Sequence, residues 1–221
     1  MPYHSLTYSL CNSKKNMKTV VVDNKQVVPL KIVCIGRNYV DHIAELGNEI
    51  PDDMVVFNKP NSAISSELLS YHQEQLHYEG ELCFVVKNGQ FSAVGFGLDL
   101  TKRGLQNKLK AKGLPWERAK AFDGSAIFSD FVTIDASDIN QSLTLELKIN
   151  DEVIQAGGVE LMMYKPNEIF AELKRYTTLN NGDIVMTGTP KGVGIITKGS
   201  IFKGKVLKNN VELISKTWLS L

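Results

Sequence analysis

The sequence contains few cysteines and no long apolar segment. Its three cysteines, Cys11, Cys34 and Cys83, form neither a CxxC motif nor a Cys/His spacing, so neither a disulfide framework nor a zinc site is expected. No apolar run approaches the roughly 20 residues that a membrane-spanning helix requires. The first residues also lack the basic start and apolar stretch of a signal peptide. We therefore expect a cytoplasmic protein with reduced thiols and no membrane partner.

An excess of charge of either sign is also missing. The chain has 25 Lys and Arg residues and 24 Asp and Glu residues, mixed along its length, and a formal net charge of +1. Domains that bind nucleic acid usually have a clustered basic surface, so no nucleic-acid partner is expected. The composition, 43% hydrophobic and 22% charged, is that of a globular protein.

Three widespread catalytic motifs do not occur. There is no GxSxG motif of the serine hydrolases, and Gly95-Phe-Gly97 lacks the third glycine of a dinucleotide-binding motif. The segment Thr187-Gly-Thr-Pro-Lys-Gly-Val-Gly194 does not match the phosphate-binding GxxxxGK[ST] loop. Serine-hydrolase chemistry and nucleotide binding are therefore not expected.

The hydrophobic pattern predicts many short strands and few helices. Strands are predicted at 32–35, 54–57, 77–86, 94–100, 143–149, 153–155 and 184–187, and helices at 38–46, 101–113 and 166–176. Because the two kinds of element do not alternate regularly, the pattern favours an α+β fold, a sheet-rich mixed β-roll or barrel with a few short helices. Residues 1–30 hold only short β-branched pieces and are predicted to form an N-terminal arm, followed by one domain at 31–221. Met17 is a second candidate for the translation start.

Three acidic residues suggest a metal site. Glu79 and Glu81 lie two positions apart in a predicted strand, so their carboxylates point to the same side. Burying such a pair is costly unless a cation compensates it; a solvated edge strand is the alternative. Asp99, at the end of the next apolar strand, either completes the site or caps a helix. Three carboxylates without a His and Cys set favour Mg²⁺ or Mn²⁺ over zinc. His77, on the same face, is a possible ligand or a partly exposed neighbour.

Further polar residues could take part in catalysis. His42 and Glu45 lie three positions apart on a predicted helix and can touch, which suits a general base oriented by a carboxylate; a surface contact is the alternative. Lys120 could stabilise an enolate or form an ordinary ion pair. The glycine-rich loop could bring Thr189 near a substrate carboxylate, or could be a tight turn.

Taken in chain order, these residues resemble the fumarylacetoacetate hydrolase family, most closely its small, single-domain acylpyruvase-like branch. The resemblance covers nearly everything after about residue 31. Its matching segments are Ile32–Tyr39 with Asp41, His42 and Glu45, Phe57–Pro60, His77–Leu82, Leu98–Thr101 with Arg103 and Gln106, Gly113–Trp116 with Ala119 and Lys120, Asn150, Gln155, Gly182–Ile184 and Thr187–Gly194.

The resemblance implies a mixed β-sheet roll, usually a homodimer, with a Mg²⁺ or Mn²⁺ site. It assigns the metal ligands to Glu79, Glu81 and Asp99, a water-activating pair on a possible lid to His42 and Glu45, the lysine beside the oxyanion to Lys120, and positions near the substrate to Arg37, Gln106 and Thr189. The chain departs from the family pattern at Gly104, where Asp is usual, at Lys102, where a small residue is usual, and at Ser200, where an acidic residue is common. These departures bear on the identity of the substrate.

The function expected first is metal-dependent hydrolysis of a carbon–carbon bond in an acylpyruvate-type 2,4-dioxo acid, a small 2-oxo acid substrate, giving pyruvate and a carboxylate. Two alternatives use the same chelated enolate: oxaloacetate decarboxylation, and isomerisation or tautomerisation of a 2-hydroxyhepta-2,4-diene-1,7-dioate type of substrate. A metal-stabilised binding module without activity is the non-enzymatic alternative.

Overall fold

The structure, a computed structural model, describes residues 17–45 and 51–221. Its strands are β1 Val20–Val22, β2 Lys25–Val27, β3 Lys31–Gly36, β4 Val55–Pro60, β5 Ile64–Ser65, β6 His77–Tyr78, β7 Gly80–Lys87, β8 Gln90–Asp99, β9 Ala126–Phe128, β10 Val132–Thr133, β11 Leu143–Ile149, β12 Glu152–Gly158, β13 Ile184–Met186, β14 Gly194–Ile195, β15 Ile201–Lys208 and β16 Val211–Leu219. Its α-helices are α1 Val40–Glu45, α2 Arg103–Ala111, α3 Glu117–Lys120 and α4 Pro166–Tyr176.

Two sheets form the body of the molecule. The larger sheet is mixed and has the order β4-β3-β13-β7-β8-β9-β5, with β10 paired to β8; β3 and β13 are parallel, and β7 is antiparallel to both of its neighbours. The smaller sheet is antiparallel, in the order β12-β11-β15-β16. This arrangement confirms the predicted sheet-rich α+β fold.

The main hydrophobic core lies between the two sheets. Phe96 on β8 packs against Trp218 on β16 with their ring centroids 6.1 Å apart. Tyr78 on β6 packs edge-on against Phe202 on β15 at 5.3 Å. Each large apolar side chain that is fully buried contributes about 1.5–3 kcal/mol, so the first contact helps to hold the two sheets together and the second holds β6 against the smaller sheet.

Strand β7 shows the predicted alternation, but both of its faces are covered. Leu82 and Phe84 face the main core, whereas Cys83 and Val85 pack in a second apolar cluster on the other side. Since β13 and β8 pair with its two edges, the alternative of a solvated edge strand is wrong.

The predicted strand 77–86 is interrupted at Glu79. Tyr78 pairs with Gly194 in a separate two-stranded sheet, whereas Gly80 pairs with Leu98 of β8. A Cβ atom at Gly80 would lie 2.9 Å from the ring of Phe96, so the chain needs glycine where it changes partner. The interruption leaves Glu79 between two sheets.

Other boundaries differ slightly from the prediction. Helix α2 begins at Arg103 rather than near Thr101, because Thr101 still exchanges backbone hydrogen bonds of 3.0 Å with His77. The C-terminal end predicted for the first helix, at Leu46, lies outside the described residues.

The N-terminal part is described only in its second half. Strands β1 and β2 form a hairpin, and Asp23 donates a backbone hydrogen bond to Phe131. The boundary predicted between residues 30 and 31 stays a prediction. Among residues 17–45 and 51–221, no helix is long and apolar enough to cross a membrane.

Candidate active site

Three buried carboxylates converge at one end of the larger sheet. Glu79 lies in the interruption before β7, Glu81 is the second residue of β7, and Asp99 is the last residue of β8. One oxygen atom of each lies within 4.8 Å of the others, and the residues are 6%, 2% and 1% exposed, respectively. The antiparallel register brings the two strands together, since Asp99 donates its backbone N–H to the Glu79 carbonyl at 2.9 Å.

Three cations surround this acidic cluster. Lys120 donates from Nζ to Glu79 Oε2 at 2.8 Å and to Asp99 Oδ2 at 2.7 Å. Lys59 Nζ lies 2.8 Å from Asp99 Oδ1, and Arg103 is paired with Glu79 Oε1. The carboxylates are therefore held in place by charged hydrogen bonds and ion pairs, which are stronger than neutral contacts.

The electrostatic environment differs among the three acids. Burial disfavours the charge on Glu79, but Lys120 and Arg103 outweigh burial and keep its pKa well below the usual range. Glu81 has the opposite shift, because burial, Asp99 and Glu79 all raise its pKa. Burial also opposes the charge on Lys120, but Asp99 and Glu79 outweigh that effect and raise its pKa.

The cluster fits a hard divalent cation. Asp99 Oδ1 is buried and accepts no hydrogen bond of good geometry from the described residues, although Lys59 is near. Glu81 is destabilised as an anion by its two acidic neighbours, and a cation would relieve that repulsion. An all-carboxylate donor set suits Mg²⁺ or Mn²⁺. Among residues 17–45 and 51–221, this is the one such group of potential ligands.

The predicted His–Glu pair is formed on α1. His42 Nδ1 lies 3.3 Å from Glu45 Oε2, and the Gly192 backbone N–H donates to both Glu45 oxygens at 3.0 and 3.1 Å. Because the Glu45 carboxylate can only accept a hydrogen bond, the proton of the neutral ring is placed on Nδ1, and Nε2 is left as an acceptor. Burial lowers the pKa of His42, so the ring is neutral near pH 7.

The residues predicted to lie near the substrate surround the same pocket. Arg37 follows β3 with a left-handed φ of 56°, which is unusual for a non-glycine residue. Gln106 accepts a hydrogen bond of 2.7 Å from Arg103, and Thr189 accepts one of 2.8 Å from Gln155. Eight of the nine predicted site residues line the pocket, namely Arg37, His42, Glu79, Glu81, Asp99, Gln106, Lys120 and Thr189. Glu45 lies behind His42.

Three residues of the site received no role from the sequence. Lys59 is fully buried on β4, two positions after the buried Phe57; a lysine on the apolar face of an alternating strand is the signal that could have identified it. Arg103 and Lys110 also line the pocket. Their spacing with Gln106 on one helix face was a weaker signal. His77 is partly exposed and lies outside the acidic cluster.

Comparison with known proteins places the chain in one family. The family model described as fumarylacetoacetate (FAA) hydrolase C-terminal matches residues 31–216. An oxaloacetate tautomerase of Schizosaccharomyces pombe, named as mitochondrial, is 36% identical over 80% of this chain and 88% of its own length.

Solved structures agree with this match. A candidate fumarylacetoacetate isomerase/hydrolase from Oleispira antarctica is 31% identical with a TM-score of 0.87, covering 93% of this chain and all of that one. A fumarylpyruvate hydrolase from Pseudomonas aeruginosa, in complex with Mn²⁺ and pyruvate, is 25% identical with a TM-score of 0.83, covering 96% of this chain and all of that one. The predicted resemblance is thus confirmed, and the chain belongs to the fumarylacetoacetate hydrolase family of enzymes.

Proposed function

We propose that the protein is a divalent-metal-dependent tautomerase that interconverts the keto and enol forms of a 2-oxo acid, with oxaloacetate as the substrate to test first. The observation that carries the proposal is the convergence of Glu79, Glu81 and Asp99 in a pocket that also holds Lys120 and His42. A relative at 36% identity is named as an oxaloacetate tautomerase, and this favours tautomerisation over hydrolysis.

The three carboxylates are the proposed metal ligands. The chemistry that a bound Mg²⁺ or Mn²⁺ ion supplies is polarisation of the 2-oxo group, which makes the adjacent C–H more acidic. Lys120 is held as an ammonium by Glu79 and Asp99. It therefore stabilises the negative charge that develops on the 2-oxo oxygen when the proton leaves carbon.

His42 is the proposed proton carrier. Its Nε2 atom removes the proton from C3 of the keto acid and returns it to the 2-oxo oxygen, which gives the enol; the reverse sequence gives the keto form. Glu45 fixes the ring by accepting from Nδ1 at 3.3 Å. A neutral imidazole is the form that this role requires, and burial maintains it by lowering the pKa of His42.

Gln106 and Thr189 are proposed to orient the substrate. Both side chains are buried and are fixed by neighbours, Gln106 by Arg103 and Thr189 by Gln155. Prior fixation lowers the entropy lost when a ligand binds.

Hydrolysis of an acylpyruvate is the second candidate. The fumarylpyruvate hydrolase of Pseudomonas aeruginosa is similar over nearly the whole chain, and an imidazole oriented by Glu45 could equally deprotonate a water. Oxaloacetate decarboxylation needs no such base and is the third reaction. A purely metal-stabilised module would not need His42, Glu45 and Lys120 around the same pocket.

The test follows the ultraviolet absorbance of enol-oxaloacetate with purified protein, after EDTA treatment and after reloading with Mg²⁺ or Mn²⁺. We expect the metal-loaded protein to accelerate decay of the enol above the rate with metal alone, and His42→Asn to lower kcat by roughly 10²–10⁴-fold. The matched control is His72→Asn, since His72 lies outside the pocket.

Pyruvate release from acetylpyruvate and from oxaloacetate, measured on the same samples, separates the three reactions. Tautomerase activity that is unchanged in EDTA, or equal in wild type and His42→Asn, would contradict the proposal. A homodimer and a cytoplasmic location are also proposed, and light scattering together with cell fractionation tests them.

A further inference from the structure

Lys110 is a pocket lysine that has no acidic partner within residues 17–45 and 51–221. It lies on α2, one turn after Gln106, and its Nζ is 4.9 Å from the ring centroid of Trp116. Among the described residues, no carboxylate oxygen lies within 4.0 Å of this Nζ atom, whereas Lys120 and Arg103 are both paired with Glu79.

The surroundings of Lys110 are cationic. Burial, and after it the positive charges of Arg37 and Arg103, lower its pKa to about 8, against a smaller opposing effect from Glu79. Four cations and three carboxylates line the pocket. A divalent metal ion would add two more positive charges, so the occupied pocket would hold an excess of positive charge that suits a dianionic ligand better than a monoanionic one.

The positions on α2 follow an outward path from the acidic cluster. Arg103 contacts Glu79, Gln106 contacts Arg103, and Lys110 lies one further turn along the helix. One turn is about 5.4 Å, a distance on the scale of a short dicarboxylic acid. A substrate whose 2-oxo end lies at the acidic cluster would therefore extend its other end toward Lys110.

We propose that Lys110, with Arg37 beside it, binds the distal carboxylate of a four-carbon 2-oxo dicarboxylate and so determines the preference for dicarboxylic over monocarboxylic 2-oxo acids. This inference rests on the proposed function, because it uses the same pocket and the same orientation of the substrate. A charge-assisted contact of this kind corresponds to roughly 10- to 100-fold in kcat/KM.

The experiment compares oxaloacetate with its 4-methyl ester, which keeps the chelating end but loses the distal charge. The metal-loaded full-length wild type and the variants Lys110→Gln, Lys110→Arg and Lys108→Gln are used. Lys108 is exposed on the same helix and is the matched control. The quantity measured is the ratio of kcat/KM for the free acid to that for the ester.

We expect the wild type to prefer the free acid, and Lys110→Gln to reduce that preference by roughly 10- to 100-fold. Lys110→Arg should retain it, since the charge remains, and Lys108→Gln should match the wild type. An unchanged ratio in Lys110→Gln, or equal losses for both compounds, would overturn the inference.

Calorimetric titration of the same two compounds separates this inference from the proposed reaction. Suppose that the wild type turns over neither compound but binds the free acid more tightly than the ester, and that Lys110→Gln removes this difference. The proposed reaction would then be wrong, whereas the carboxylate site would be supported. If Lys110→Gln leaves the affinity for the free acid relative to the ester unchanged, the proposed carboxylate site is wrong, whatever the turnover.

Discussion

Lys59 Nζ lies 2.8 Å from Asp99 Oδ1, and both side chains are almost completely buried. Lys59 also donates hydrogen bonds to the carbonyls of Lys120 and Ser125. It therefore links the acidic cluster to the end of α3, which carries Lys120, and to the segment that follows it, and it gives Asp99 a positive neighbour before any metal binds.

Replacing Lys59 by Met should destabilise the metal-free protein more than the metal-loaded one. Removing one partner of a buried ion pair leaves an uncompensated charge and costs about 3–5 kcal/mol, but a bound divalent cation would compensate Asp99 in its place. Thermal unfolding in EDTA and in Mn²⁺ measures the difference.

The matched control for this prediction is Lys31→Met. Lys31 pairs with the buried Asp183 at 2.8 Å, and Asp183 is not among the pocket residues. Its loss should lower Tm equally with and without metal. If Lys59→Met also lowered Tm equally in EDTA and in Mn²⁺, Asp99 would not bind the ion.

The sequence predicted most of this site because its chemistry is local. Alternation along the predicted strand 77–86 places Glu79 and Glu81 on the same side, and His42 and Glu45 share a helix face, so neither prediction requires knowledge of the fold. The convergence of Asp99 with the glutamates came from the resemblance, since the antiparallel register of β7 and β8 cannot be read from either strand alone.

Long-range partners were the part that could not be predicted. Lys59 reaches Asp99 from β4, four strands away in the larger sheet, and no local pattern encodes that contact. The interruption at Glu79 depends likewise on Phe96, whose ring leaves no space for a side chain at Gly80. Such contacts depend on how distant segments pack against each other, and local sequence preferences carry no information about that packing.

Gly104, which departs from the family pattern, has a structural explanation. The carboxylate of Glu74 lies at the start of α2, where it accepts backbone hydrogen bonds from Gly104 at 2.8 Å and from Leu105 at 3.3 Å. A Cβ atom at position 104 would lie 3.2 Å from that carboxylate. A residue distant in sequence thus supplies the negative charge that favours a helix N-terminus.

Glu74→Ala should therefore lower the free energy of unfolding by about 0.5–2 kcal/mol, the usual range for loss of an N-terminal cap. Urea unfolding measures this value. Glu67→Ala is the control, since Glu67 is exposed and lies outside any helix, and surface changes of that kind usually stay within about 0.5 kcal/mol. Equal effects of the two substitutions would refute the capping role.

Glu45→Gln should slow catalysis while leaving metal affinity unchanged. The carboxylate raises the pKa of His42, partly opposing burial, so its loss makes the imidazole a weaker base. We expect kcat to fall by roughly tenfold or more, a part of the 10²–10⁴-fold that general-base help supplies. Asp41→Asn on the same helix is the control, because Asp41 is exposed and contacts only Lys191, at 3.4 Å, among the described ion pairs. If the two variants had the same kcat, Glu45 would have no role in orienting His42.

The pH dependence of substrate preference should follow Lys110. Its pKa of about 8 in the free protein means that the ammonium is present below pH 8 and is lost above it. The groups that act on it are Arg37 after β3, Arg103 on α2 and Lys120 on α3, which lower the pKa, and Glu79 before β7, which raises it. The attraction for a distal carboxylate should therefore weaken as the pH rises through this value. His42 does not contribute to this change, because its lowered pKa places its own titration at more acidic pH.

Profiles of kcat/KM for oxaloacetate and for its 4-methyl ester, recorded with the metal-loaded protein from about pH 6.5 to 9.5, check this expectation. In the wild type the ratio of the two values should fall as the pH rises through the pKa of Lys110, which is about 8 without metal and is lowered further by the positive charge of a bound metal ion. In Lys110→Arg it should stay constant, because the guanidinium remains charged throughout this range. The Lys108→Gln control should reproduce the fall seen in the wild type. A fall that persists unchanged in Lys110→Arg would assign the titration to another group and would remove the support that this lysine gives to dicarboxylate recognition.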